Sequence, residues 1–169
     1  MQIHAGLYKG RRVKTVKNAP YRPTTSLVRK SLFDIIGNLQ GKHILDLFAG
    51  SGIVGFEAAS RGASSITFVE SSMRVNSLLK INGSFFNQTS FDYIKQDATK
   101  FIIDCKKYDI IFADPPYEFD SNETFVSNAI QRLNKDGILI LESSIKDYTS
   151  SPYRIKEYGD TQLTFWRNK

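Results

Sequence analysis

From residue 41 onward two patterns of hydrophobic and polar positions take turns. Short apolar runs at residues 43–48, 65–70, 91–96, 108–113 and 138–142 have the length and the β-branched or aromatic content of strands. Between them, apolar residues return every three or four positions, the period of a helix with one buried side. These segments predict helices over 53–61, 73–85, 98–105 and 123–133, the last with Phe125, Ala129, Ile130 and Leu133 at core spacing. Strands alternating with helices fold as a parallel sheet with crossover helices. After residue 150 the pattern changes. Two runs, 153–158 and 162–166, flank Gly159-Asp160 and predict an antiparallel hairpin that closes the sheet.

The first forty residues read differently. Residues 3–8 and 12–16, around Lys9-Gly10, predict a short hairpin that stands off the core as an arm. Tyr21-Arg22-Pro23-Thr24-Thr25 stops regular structure at its proline and offers a threonine cap to a helix. That helix carries Val28, Leu32, Ile35 and Ile36 on a buried side and Arg29 and Lys30 on a basic one.

Charge sharpens this division. The net charge of +6 would say little if spread evenly, but the first 33 residues hold eight lysines and arginines and no acid. Setting those eight aside leaves 15 of the chain's 23 basic residues against all 17 acids. The excess positive charge therefore sits in the N-terminal segment, as expected of one laid against phosphates. At 169 residues and 41% hydrophobic content, the chain is sized for a single domain. No apolar run approaches the roughly 18 residues of a membrane span, and no charged-then-apolar leader points to export. A cytoplasmic protein without membrane contact is the expectation. The lone Cys105 allows no internal disulfide, and with two histidines in the chain no metal site is expected.

The candidate chemistry begins where the first strand ends. Asp46-Leu-Phe48-Ala49-Gly50-Ser51-Gly52 is an acid followed by a glycine loop and a helix, whose first N–H groups are expected to point at whatever the loop holds. Gly50, Gly52 and Gly55 also spell the dinucleotide fingerprint, with Glu70 at the distance of a ribose-binding acid. Asp46 weighs against a dinucleotide, because a carboxylate at the loop mouth repels a pyrophosphate. It suits an ammonium, and S-adenosylmethionine carries an ammonium together with a ribose for Glu70 to hold. Asp97 and the Ala98 backbone end the third strand and are expected to meet the adenine amine. Carboxylates stand at five strand ends, namely Asp46, Glu70, Asp97, Asp114 and Glu142, and ligands of open α/β sheets bind along that edge.

Asp114-Pro115-Pro116-Tyr117, after the fourth strand, is the candidate catalytic motif. Two prolines remove two N–H donors and stiffen the loop, so it presents acceptors: the Asp114 carboxylate and the Pro115 carbonyl. Those acceptors suit the two hydrogens of a planar exocyclic amine, and Tyr117 offers a ring for a flipped base. The same tetrapeptide would serve an adenine-N6 or a protein-glutamine methyltransferase. A non-catalytic RNA-binding or assembly factor, or a nucleotide-dependent oxidoreductase, are readings of a different class.

With both motifs in place, the sequence resembles class I S-adenosylmethionine-dependent methyltransferases that modify exocyclic amines. Gly10-Arg11-Arg12 and Arg22-Pro23-Thr24-Thr25, followed by Val28-Arg29, narrow the resemblance to the RsmD family of bacterial 16S ribosomal RNA guanine-N2 methyltransferases. That resemblance implies a Rossmann-like, mostly parallel seven-stranded sheet, S-adenosylmethionine as donor with S-adenosylhomocysteine as product, and 16S ribosomal RNA, within a small-subunit particle, as acceptor. It implies a basic arm and helix over residues 1–37 packed on a methyltransferase domain over 38–169, acting as a monomer. By the same resemblance the cofactor loop is Asp46 to Gly52, with Glu70 as the ribose acid. The neighbouring Ser71, where such families often have a further acid or amide, is a departure from the pattern and is also expected at the cofactor. Lys9, Arg11, Arg12, Arg22, Thr24 and Arg29 are the residues placed near RNA or the active-site mouth.

Overall fold

The computed structural model describes residues 1–15, 24–116, 119 and 123–169; Val16, Arg22 and Tyr117 lie outside the described residues. Among the described residues seven strands form one sheet: β1 His43–Leu47, β2 Ser65–Val69, β3 Ser90–Ile94, β4 Tyr108–Ala113, β5 Leu133–Ser144, β6 Arg154–Tyr158 and β7 Thr161–Arg167. Their order is β3-β2-β1-β4-β5-β7-β6, with the first five parallel and β7 antiparallel to both β5 and β6. The chain builds outward from β1 to β3 and then returns to lay β4 beside β1. A crevice opens at the carboxyl ends of β1 and β4 in this arrangement.

Alternation along the strands divides the core. Ile44, Phe68, Ile110, Phe112, Ile140 and Phe165 pack on the face covered by α1 Ser26–Ile36 and α2 Ile53–Ser60, with Leu79 of α3 Met73–Gly83. Leu45, Leu47, Ile111, Leu139 and Trp166 pack on the other face, under α4 Ala98–Phe101 and α5 Glu123–Gln131. By this parity Asp46, Asp114 and Glu142 belong to the α1–α2 side.

Two predicted helices end early. The expected helix over 98–105 keeps one turn, since Asp97 caps it through the Thr99 and Lys100 N–H groups and β-branched Ile102 and Ile103 follow. The helix expected to reach Leu133 stops at Gln131, and Leu133 instead opens a long β5 beside Tyr108, with a register shift before Ile110.

The N-terminal segment departs most from expectation. It is neither a hairpin of two strands nor an arm: a single antiparallel bridge, Gln2 to Arg12, joins its two sides, and Ile3 and Val13 are buried in the core. The reason lies in α2, whose eight residues are all buried. A helix apolar on every side needs cover on its outer face, and residues 1–13 supply it. Glu57 of α2, fully buried, accepts hydrogen bonds from the His4 and Ala5 backbone at 2.7 and 3.0 Å and from Arg61 Nε at 3.0 Å. Leu7 N–H donates to the Ser60 carbonyl and Tyr8 N–H to the Ser60 hydroxyl. Gly6 sits so close that a Cβ there would lie 1.8 Å from the Ser60 carbonyl oxygen.

Arg29 moves with this finding. Its place on a basic, RNA-facing side of α1 is corrected: it is 2% exposed, lies 3.9 Å from Glu57, and donates to the Gln2 carbonyl and to His4. A buried guanidinium needs a buried counter-charge, and Glu57 is that partner.

Candidate functional site

The crevice between β1 and β4 contains a cavity of about 520 Å³, within the range of small-molecule sites. Asp46, Phe48, Ala49, Gly50, Ser51, Glu70, Ser71, Asp97 and Ala98 all line it, and so do Thr24, Asp114, Pro115 and Pro116. Segments far apart in sequence thus converge because most of them belong to the loops that follow the parallel strands, with Thr24, just before α1, as the exception. Gly52 does not line it, nor do Lys9, Arg11, Arg12 and Arg29.

The glycine loop has its own mechanics. Phe48 turns the chain with φ 56°, a conformation uncommon for a side-chain-bearing residue, and its ring packs on Phe119 at 5.2 Å and Phe125 at 6.0 Å. Gly50 N–H donates to Glu70 Oε2 at 3.0 Å, while Glu70 Oε1 accepts from Ser72 N–H at 2.8 Å. Glu70 thereby ties the loop after β1 to the start of α3. The reason for Gly52 and Gly55 is packing rather than close approach of a ligand. A Cβ on Gly52 would lie 2.4 Å from Leu79, and one on Gly55 2.4 Å from Phe68.

The α2 N-terminus also departs from expectation, since its N–H groups do not simply face the cavity. Ile53 N–H meets Ser51 Oγ and Gly55 N–H meets Asp46 Oδ2, at 3.3 and 3.1 Å. The start of the helix is therefore capped by acceptors from the protein, which disfavours an anion there. Burial pushes the Asp46 carboxyl up to about 8, with the Glu70 charge adding to the rise and the Gly55 N–H opposing it. A cation beside Asp46 in the cavity would supply a countercharge to its ionised form. An S-adenosylmethionine ammonium fits this acceptor, and Glu70 and Asp97 line the same cavity further along the sheet edge. Asp97 is held below its usual range by the Thr99 hydroxyl and by the N–H groups it caps.

Asp114 follows β4, the strand paired with β1, and Thr24 Oγ1 lies 3.4 Å from its Oδ2, which brings the second residue before α1 to the cavity. Sequence reasoning missed several groups here. Phe119 lines the wall beside Phe48, and Ser144, Lys146 and Thr161 line the floor below β5 and β7. No local pattern marks them. Only the pairing of β5 with β7, Ser144 opposite Thr161, puts them beside Asp114. Glu142, expected at this edge as a strand-end acid but with no assigned role, lines the cavity with them.

Arg11 lies elsewhere. Its guanidinium stacks 5.3 to 5.8 Å from the Tyr8, Phe85 and Phe86 rings, and Tyr8 Oη donates to Asn87 Oδ1. Residues 85–87 follow α3 and lead into the start of β3, so this cluster is on the amino edge of the sheet. Of the two places expected for Arg11, near RNA or at the active-site mouth, it is not at the mouth; Thr24 alone of the described basic-segment candidates lines the cavity.

A seven-stranded sheet in this order, a buried acid under a capped glycine loop and a rigid acceptor loop across the cavity define a class I S-adenosylmethionine-dependent methyltransferase. A family model described as "Conserved hypothetical protein 95" matches residues 1–167. The chain belongs to that family, the RsmD family of methyltransferases. Ribosomal RNA small subunit methyltransferase D of Haemophilus influenzae is 34% identical over 138 residues, covering 75% of this chain and 69% of that protein. A structure of a hypothetical protein of Thermus thermophilus superposes with a TM-score of 0.83 at 26% identity, covering 98% of both chains. The fold is shared with the T. thermophilus 16S rRNA N2 G1207 methyltransferase RsmC, in complex with AdoMet and guanosine. That match has a TM-score of 0.69 and 20% identity and covers 90% of this chain and 45% of that one.

Among the described residues no helix is long and apolar enough to cross a membrane, and no group of three or more His, Cys, Asp or Glu is placed to hold a metal ion.

Proposed function

We propose that the protein methylates the exocyclic N2 amine of a guanine in 16S ribosomal RNA, acting as a cytoplasmic monomer on a small-subunit particle. The observation that carries this reading is the juxtaposition of the Asp114-Pro115-Pro116 loop and the Asp46 glycine loop across one cavity. The small-subunit RNA named for the relatives and the guanosine bound by the structural neighbour support the choice of acceptor.

When bound, S-adenosylmethionine supplies a methyl carbon on a sulfonium, which forms a bond to the amine nitrogen as its bond electrons to sulfur return to sulfur. The residues around it orient and compensate charge. Asp46 answers the ammonium, and Glu70 the ribose hydroxyls. Asp114 and the Pro115 carbonyl accept the two amine hydrogens, which aims the nitrogen lone pair into the cavity. Once methylated, the nitrogen is cationic and acidic, so a weak base is enough: Asp114 receives the departing proton and passes it to water. Tyr117 is proposed as the stacking ring. Lys9, Arg11, Arg12 and Arg22 are proposed as phosphate contacts, with Lys9, Arg11 and Arg12 exposed on the outer face.

The test is to incubate the protein with labelled donor and small subunits from a strain lacking the corresponding enzyme, and to map the modified base. Label on a guanine N2 supports the reading; label on adenine, or none on RNA, ends it.

A further inference from the structure

The transfer step uses Asp114 and leaves a second carboxylate beside it without a task. Ala113 and Leu141 are register partners on β4 and β5, so Asp114 and Glu142, each one residue further, stand side by side at the carboxyl edge. Both continue the alternation that sends Phe112 and Ile140 to the α1–α2 face, and both line the cavity. Lys146, from the loop after β5, lines it too, half-buried, with its ammonium 5.1 Å from the Tyr148 ring centre. Two carboxylates side by side on adjacent strands present a row of acceptors to the cavity, and a ligand that presents a row of donors is their complement.

Guanine presents such a row. Its Watson–Crick edge runs from the N2 amine, two donors, through N1–H, a third, to O6, an acceptor. If Asp114 and the Pro115 carbonyl take the amine hydrogens, the next group along must accept from N1–H and the one after it must donate to O6. An ionised Glu142 only accepts, and Lys146 only donates. Adenine and cytosine each present an amine next to a ring nitrogen that carries a lone pair, and this would face the Glu142 carboxylate. We propose that Glu142 selects guanine by accepting its N1–H, with Lys146 donating to O6. This rests on the guanine-N2 reading above and adds to it the groups that read the base.

The experiment titrates three nucleotides into the protein saturated with S-adenosylhomocysteine, followed by NMR. GMP has the amine, N1–H and O6. IMP keeps N1–H and O6 but lacks the amine. The 5′-monophosphate of 2-aminopurine riboside keeps the amine but has a lone pair at N1 and lacks O6. The wild type is expected to bind GMP at least about ten-fold tighter than the 2-aminopurine nucleotide, and IMP tighter than it as well, because sites built to pair a donor reject analogues lacking it. In Glu142→Gln, whose amide can donate to N1, the ratio of GMP to 2-aminopurine affinity is expected to fall to within about threefold.

A wild type that binds the 2-aminopurine nucleotide as well as GMP overturns the proposal, as does a variant that keeps the full ratio. Failure to see saturable GMP binding up to about 20 mM also overturns it. The wild-type comparison decides even if the variant does not fold. Base mapping on small subunits separates the two levels: label on guanine N2 with selectivity unchanged in Glu142→Gln removes Glu142 alone, and label on adenine removes the guanine reading itself.

Discussion

Replacing Asp46 with asparagine separates two effects of one carboxylate. The amide oxygen keeps an acceptor for Gly55 N–H, 3.1 Å from Asp46 Oδ2, and the volume scarcely changes, so the charge is what goes. In the empty fold that charge is unfavourable, since the acid moves from 3.8 to about 8 on burial. The folded chain then holds a proton that the unfolded chain releases, and stability falls as pH rises from about 4 to about 8. At about 1.4 kcal/mol per pH unit the window sums to about 6 kcal/mol. Asp46→Asn is therefore expected to match the wild type near pH 4 and to exceed it by several kcal/mol at pH 8.

With S-adenosylmethionine present the sign reverses. The ligand's ammonium compensates the carboxylate, and losing a hydrogen bond between charged partners costs about 1.5–3 kcal/mol, or roughly ten- to 150-fold in affinity. Wild-type affinity should rise between pH 6 and 7.5, below the range where an α-amino group itself titrates, while the variant's stays weak and flat. Urea unfolding at pH 5 and 8 measures the first effect. Calorimetric titration in buffers of different ionisation enthalpy measures the second, with close to one proton released per ligand bound by the wild type at pH 7 and none by the variant. A variant no more stable at pH 8, or one that binds the cofactor within about threefold of the wild type, would refute the reasoning.

Other perturbations test other parts of the site. Asp114→Ala should lower turnover on small subunits by about a hundredfold or more while cofactor affinity stays within about threefold; an equal loss of both would place Asp114 on the donor side. Glu57→Gln keeps the shape of the buried network but leaves Arg29 without its counter-charge, and is expected to lose about 3 kcal/mol, seen as a fall in Tm of roughly 6–12 °C. A fall of less than about 2 °C would mean that the pair is not sealed from water. Arg11→Ala should weaken RNA binding and reduce the slope of log affinity against log salt by about 0.9, leaving cofactor binding alone; an unchanged slope removes Arg11 from the RNA surface.

The sheet was legible because its strands are short apolar runs, a property each carries locally. β1, β2 and β4 sit within a residue of where the run lengths placed them, and the strand-end acids gathered at one edge as the parallel topology requires. What could not be read depends on partners distant in sequence. Arg29 looks like a solvated charge on a helix until Glu57 is placed against it. The buried acid was itself the available clue: Ile53-Val54-Gly55-Phe56-Glu57-Ala58-Ala59 is apolar around the whole helix but for one carboxylate, which a buried helix tolerates only when paired. Leu133 fitted the spacing of α5 equally well, and the pairing of Tyr108 with Leu133 decided for the strand.

The cover over α2 links the charge pattern to the site. The helix begins at the glycine loop and ends at Ser60, near the amino edge, and the segment that covers it carries Lys9, Arg11 and Arg12, three of the eight basic residues among the first 33. Among the described residues, Lys9, Arg11 and Arg12 are exposed on that cover and do not line the cavity. Arg11, stacked on Phe85 and Phe86, lies towards the far end of α2, and Thr24, beside Asp114, at the cavity. Eight helical residues span about 12 Å at 1.5 Å each. An RNA that touches both ends must therefore cross at least that distance while one base turns into the cavity, a reach of several nucleotides. A mononucleotide fills the acceptor side without meeting Arg11, so its binding should be nearly independent of salt, while binding of the full RNA should weaken steeply as salt rises.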